Sequence, residues 1–116
     1  MSLSNGRLPN CDRVYIDDAK VRDYLLNPGH SQNGGKAGFF MKFGFTKDEW
    51  QTLQGALSQH PIINSIEEQK SNPHGIKYVV TCSVRTPDGR NPCIKSVWIV
   101  DVDSLDPSRL VTAYPA

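Results

Sequence analysis

The chain has 116 residues, enough for one hydrophobic core and too few for two. Its 13 basic and 12 acidic side chains leave a formal charge of +1, which excludes the broad basic field of a dedicated nucleic-acid binder and leaves room only for a local patch. A hydrophobic share of 38% with 22% charged residues belongs to a folded domain rather than a disordered chain, and no apolar run approaches the ~20 residues of a membrane helix.

Residues 1–9 are expected to form a flexible N-terminal segment ahead of a single domain over 10–116. The first helix is expected to start near Asp17 or Asp18, either of which can accept from exposed N–H groups. Val21, Tyr24 and Leu25 form its apolar stripe, and Asn27-Pro28-Gly29 ends it. A polar loop from His30 to Gly35 leads into a second helix over Lys36–Phe43, with Ala37, Phe40 and Met41 on one face and Gly44 as a left-handed cap. Thr46-x-x-Glu49 reads as a capping box, with Phe45 and Trp50 placed for a hydrophobic staple. The third helix should then bury Trp50, Leu53 and Leu57, with Trp50 against the sheet, and stop at His60-Pro61.

From residue 62 the period becomes two. A weak edge strand is expected over Ile62–Gln69, a turn over Ser71–Gly75, and strands over Ile76–Arg85, Cys93–Val102 and Arg109–Tyr114. Pro87-Asp88-Gly89 is a hairpin signal, and a loop from Ser104 to Pro107 leads to the last strand. The fold class is therefore α+β: two to three N-terminal helices packed on one face of a three- to four-stranded antiparallel β meander.

With a three-residue Pro87-Asp88-Gly89 loop, and Val100 opposite Leu110, one sheet face carries Tyr78, Val80, Cys82, Ile94, Trp98, Val100, Leu110 and Tyr114. That face suits the helices. The other carries Lys77, Thr81, Ser83, Arg85, Lys95 and Arg109 around Val79, Val97, Ile99 and Val111. Two readings of this second face stand side by side: a solvated surface, or a cationic one for a phosphodiester or another acidic partner, with Lys77, Arg85 and Lys95 binding substrate.

The three cysteines, Cys11, Cys82 and Cys93, are odd in number and lack C-x-x-C spacing. That spacing argues against a disulfide framework and a zinc site, and for a reduced, cytoplasmic chain. Cys82 and Cys93 are expected on opposite faces as small core residues. No nucleotide-binding, hydrolase-elbow or zinc-protease motif occurs, and no metal or cofactor is expected. Gly34-Gly35-Lys36 can hold an anion at a helix start, with His30 nearby as an imidazole suited to proton transfer. His60 and His74 flank turns and read as structural or solvent-facing.

The run Tyr24-Leu25-Leu26-Asn27-Pro28, His30 and Lys36-Ala37-x-Phe39-Phe40 resembles the opening of a family of small bacterial domains of unknown function. Lys77-Tyr78-Val79-Val80, Pro87-x-Gly89, Val97-Trp98-Ile99 and Arg109-Leu110-Val111-Thr112-Ala113-Tyr114-Pro115 resemble the rest of it, over residues ~10 to 115. The architecture is similar to the barnase–EndoU–colicin–RelE class of metal-independent ribonucleases, many of them toxins. That resemblance implies His30 and Lys36 as proton-transfer and phosphate-stabilising groups. It further implies Arg109 on the developing phosphorane charge, and Thr112 or Tyr114 positioning the scissile phosphate. The functional expectation is a toxin-type endoribonuclease with RNA as partner and no membrane association. The competing expectation is a non-enzymatic module, an immunity or accessory protein that binds a cognate protein.

Overall fold

The computed structural model describes residues 6–29, 35–101 and 107–116. Its elements run α1 (Lys20–Leu25), α2 (Lys36–Lys42), α3 (Trp50–Ile63), β1 (Ile66–Asn72), β2 (Gly75–Ser83), β3 (Cys93–Asp101) and β4 (Arg109–Pro115). The four strands form one antiparallel meander in the order β1-β2-β3-β4. The architecture is the expected α+β one.

α1 follows Asp17, whose carboxylate accepts from the Ala19 N–H at 3.0 Å. It is wound in π geometry, with the Leu26 N–H bonded to the Val21 carbonyl at 3.0 Å. The wide turn sinks Val21, Leu25 and Leu26 into the core and leaves Tyr24 half-buried at its margin. Such turns are rare and recur at functional sites.

α2 ends in a Schellman motif. The Phe45 N–H bonds the Phe40 carbonyl at 3.3 Å and the Gly44 N–H bonds Met41 at 3.1 Å. Gly44 takes φ 105°, as the cap requires. Phe45 is thereby turned onto Phe40, ring centroids 6.1 Å apart.

α3 starts later and ends later than its sequence signals. Thr46 Oγ1 does accept from the Glu49 N–H at 3.2 Å, but residues 47–49 form a turn and the helix begins at Trp50. Trp50 is half-buried rather than enclosed, with the Arg22 guanidinium 5.6 Å from its ring centre. The helix also runs through Pro61 to Ile63, because Asn64 satisfies its end: its backbone and side-chain N–H groups bond the His60 carbonyl at 3.1 and 3.0 Å. Ile62 and Ile63 are consequently helical, and β1 begins only at Ile66.

The β2–β3 register matches the expected hairpin, with Ser83 opposite Cys93 and Tyr78 opposite Trp98. The ladder stops at Ser83/Cys93, and residues 84–92 form a longer loop around the Thr86–Gly89 turn. That loop grips the end of α2. Asp88 holds Arg90 at 2.6 Å, Arg90 donates to the Lys42 carbonyl at 2.7 Å, and its guanidinium lies 4.4 Å from the centre of the Phe43 ring. β4 departs from expectation: Leu110 pairs with Trp98, not Val100, and a bulge follows. Thr112 then stands opposite Val97, Ala113 opposite Ser96 and Tyr114 opposite Lys95. Ala113 takes the buried place foreseen for Tyr114.

The core joins the helices to the sheet face of Tyr78, Val80, Ile94, Trp98 and Leu110. Leu8 belongs to it at 1% exposure, and the Gly6 carbonyl accepts from the Ile66 N–H at 2.9 Å. Packing thus extends back to residue 6, ahead of the boundary expected at 10. Among the described residues no helix is long and apolar enough to cross a membrane.

Candidate functional site

The first two helices both lie against β4, and polar groups from all three elements meet there. Lys36, the first residue of α2, donates from Nζ to the Tyr24 hydroxyl at 2.9 Å. The same ammonium lies 5.2 Å from the Tyr24 ring centre, and Lys20 Nζ lies 5.5 Å from it. Thr112 Oγ1 is buried without a well-formed hydrogen bond among the described residues, yet it is close enough to the Tyr24 hydroxyl to favour its phenolate.

The electrostatics follow from these contacts. The Lys36 hydrogen bond holds the Tyr24 phenol below its ordinary value; burial opposes this, and Thr112 and Lys20 add to it. A phenol so placed can accept or release a proton, while the two lysines present positive charge to an anion.

Of the residues singled out in the sequence, Lys36 and Thr112 are brought together here. Arg109 sits three residues before Thr112 on β4, roughly 10 Å away along the strand. It is exposed, opposite Ile99, and ion-paired with Asp101 at 3.3 Å. Tyr114 stands beside Lys95, whose ammonium is 3.6 Å from Glu67. Lys77 is exposed, between Lys70 and Ile99 across the sheet. Arg85 lies beyond β2, in a shallow depression against α3 with Gln51, Gln59 and Pro87, and so is separated from Lys77 and Lys95. His30 lies outside the described residues. Among those described, no group of three or more His, Cys, Asp or Glu side chains could hold a metal ion.

Tyr24 was legible in the sequence only as part of an apolar stripe, and its hydroxyl role had no local signal. His60 reads from the sequence as structural or solvent-facing, and it is structural, inside a helix that runs on through Pro61. Its spacing from Leu53 and Leu57 was the available clue, since i, i+4 and i+7 share a helix face. His60 is fully buried, with Nδ1 2.7 Å from Ser96 Oγ and Nε2 2.8 Å from the Cys82 carbonyl. Trp98 Nε1 donates to the same Ser96 oxygen at 2.8 Å. A carbonyl only accepts, so Nε2 carries the proton and the serine hydroxyl donates to Nδ1. The chain Trp98–Ser96–His60–Cys82 is satisfied throughout, and it ties α3 to β2 and β3.

Fold and site together define a small α+β domain with a lysine–phenol–hydroxyl cluster where its first two helices meet an edge strand. The chain belongs to the DUF6883 family, a domain of unknown function, whose profile matches residues 7–116. Among solved structures it is similar to a chain of a contact-dependent growth inhibition toxin–immunity protein complex from Klebsiella pneumoniae 342. The two are 21% identical, with 87% of this chain and 98% of that chain covered and a TM-score of 0.69, a likeness of fold. The comparison with curated proteins finds no match.

Proposed function

We propose that the domain is a toxin-type endoribonuclease that works without a metal ion, its site centred on Tyr24, Lys36 and Thr112, with His30 as a further proton-transfer group. The observation that carries this reading is the 2.9 Å contact of Lys36 with a Tyr24 phenol that also faces a buried hydroxyl. The fold it shares with a chain of a toxin–immunity protein complex supports a place in such a pair.

In this reading a proton leaves the RNA 2′-hydroxyl as its oxygen attacks the adjacent phosphorus, and the 5′-oxygen departs with a proton. Tyr24 and His30 are the groups able to exchange those protons. Lys36 and Lys20 oppose the negative charge that gathers on the phosphorane oxygens, and Thr112 hydrogen-bonds the phosphate.

The test uses labelled mixed-sequence RNA in EDTA. Wild type should leave cyclic-phosphate ends, and Lys36→Met and Tyr24→Phe should each lower the rate about 10²-fold or more with little change in Tm. His30→Ala should behave like them. A second reading draws on the same neighbour, whose complex also contains an immunity protein. If wild type neither cuts nor binds RNA at low salt, where phosphate contacts are strongest, the chain is the immunity-like binding module instead.

A further inference from the structure

We propose that Cys82 and Cys93 are a thiol pair that oxidises to an intramolecular disulfide, a redox-sensitive modification site at the end of the β2–β3 ladder. All three cysteines are unbridged; Cys82 and Cys93 are exposed and Cys11 is half-buried. Both side chains were expected in the core on opposite faces. What overturns that expectation is the backbone at Cys82, a non-glycine residue at φ 138°. Regular alternation sends neighbouring side chains to opposite faces, yet Cys82 Sγ lies 4.0 Å from Ser83 Oγ. The strand is twisted here, and the His60 bond to the Cys82 carbonyl holds it so.

The spacing suits a bridge. Cys93 stands opposite Ser83 and Cys82 opposite Ile94, making the cysteines diagonal neighbours. One residue of stagger and one strand spacing put their Cα atoms roughly 6 Å apart, inside the roughly 4.4–6.8 Å range of disulfides. The two thiols already interact. The neighbouring Cys93 holds Cys82 below the ordinary thiol value, while Cys93 is held above it, first by desolvation and then by Cys82. In the order proposed, Cys82 attacks and Cys93 resolves.

With a low-molecular-weight disulfide such as oxidised glutathione as the oxidant, the Cys82 thiolate attacks one of its sulfurs and expels a glutathione thiolate. Cys93, giving up its proton, then attacks the Cys82 sulfur of the mixed disulfide and expels the second glutathione. Two protein thiols are oxidised and one glutathione disulfide is reduced. The bridge closes a ring of about 12 residues around the loop that grips α2. The latch would be closed in an oxidising compartment and open in a reducing one.

The experiment treats the native chain with oxidised glutathione, alkylates the remaining thiols and maps the peptides without reductant. The expected product is two hydrogens lighter, carries a Cys82–Cys93 peptide link, and leaves Cys11 alkylated. Its Tm should rise by about 10 °C and return with dithiothreitol. Cys93→Ser should stop at one glutathione on Cys82. The proposal fails if Cys82 and Cys93 both remain alkylatable, if each keeps its own glutathione in wild type, or if the link runs through Cys11 or between chains.

Discussion

His60 shows how much one buried side chain can carry. Its imidazole is held below the ordinary 6.5, chiefly by burial, with the Cys82 carbonyl opposing in part. The unfolded chain thus binds the proton more readily than the folded one. Stability is full above pH 6.5 and declines as the pH falls through that value toward the folded pKa. Melting temperatures from about pH 8 to about pH 5 should show this decline, and His60→Phe should flatten it. Glu67 and Asp88, held below their ordinary 4.5 and 3.8 by hydrogen bonds from Thr81 and Arg90, lose their contribution only at more acid pH. The acid limbs are therefore separable. Lys36 was a candidate in the sequence from its place after two glycines and Thr112 from the ribonuclease resemblance, and the fold brings both to Tyr24. Tyr24 was no candidate, because nothing in a helical stripe tells a packed phenol from one aimed at a lysine on another element.

Between elements, the contact most exposed to a single change is the seat of the β2–β3 loop on α2. Gly44 holds a left-handed φ, and a Cβ there would sit 3.0 Å from the Pro87 Cβ. Gly44→Ala combines a strained cap with that close contact and should cost about 1–2 kcal/mol in a urea titration. An unchanged midpoint would mean the loop yields freely. The β2–β3 pairing was legible because its turn residues and two strand alternations agree on one register. The start of α3 was not. Thr46 makes the bond of a capping box, but the Schellman turn at Gly44–Phe45 has already set the chain's direction, and the helix waits until Trp50. Local signals compete where two motifs share residues, and sequence does not rank them.

Across the molecule, the α+β order was legible from the change of period after the third helix, although the strand begins at Ile66 and not at residue 62, and the sheet's two edges are protected differently. β1 exposes Glu67, Glu68 and Lys70, charges that discourage pairing with another chain. β4 is covered in part by Tyr15, whose N–H bonds the Ser108 carbonyl at 2.8 Å and whose carbonyl accepts from Leu110 at 3.0 Å. The N-terminal segment completes the core through Leu8. Its contribution was hidden in the sequence because one leucine between Arg7 and Pro9 has no period. Leu8→Ala should cost about 2–5 kcal/mol by chemical denaturation, as for a fully enclosed leucine. A change below about 0.5 kcal/mol would show that the segment leaves the core in solution.

The bulge in β4 gives the strand two reading frames. Up to Leu110 it is in step with Trp98; from Thr112 onward it is one residue out of step, and that offset puts alanine inward and threonine and tyrosine alongside Val97 and Lys95. Val111 is the residue that makes the offset, so removing it would straighten the ladder and still leave Thr112 opposite Val97 and Ala113 opposite Ser96. Removing Ala113 instead would bring Tyr114 opposite Ser96, into the inward place. The strand therefore has one position where its length can change without moving the partners that follow, and beyond it a count of residues decides which side chains face the core.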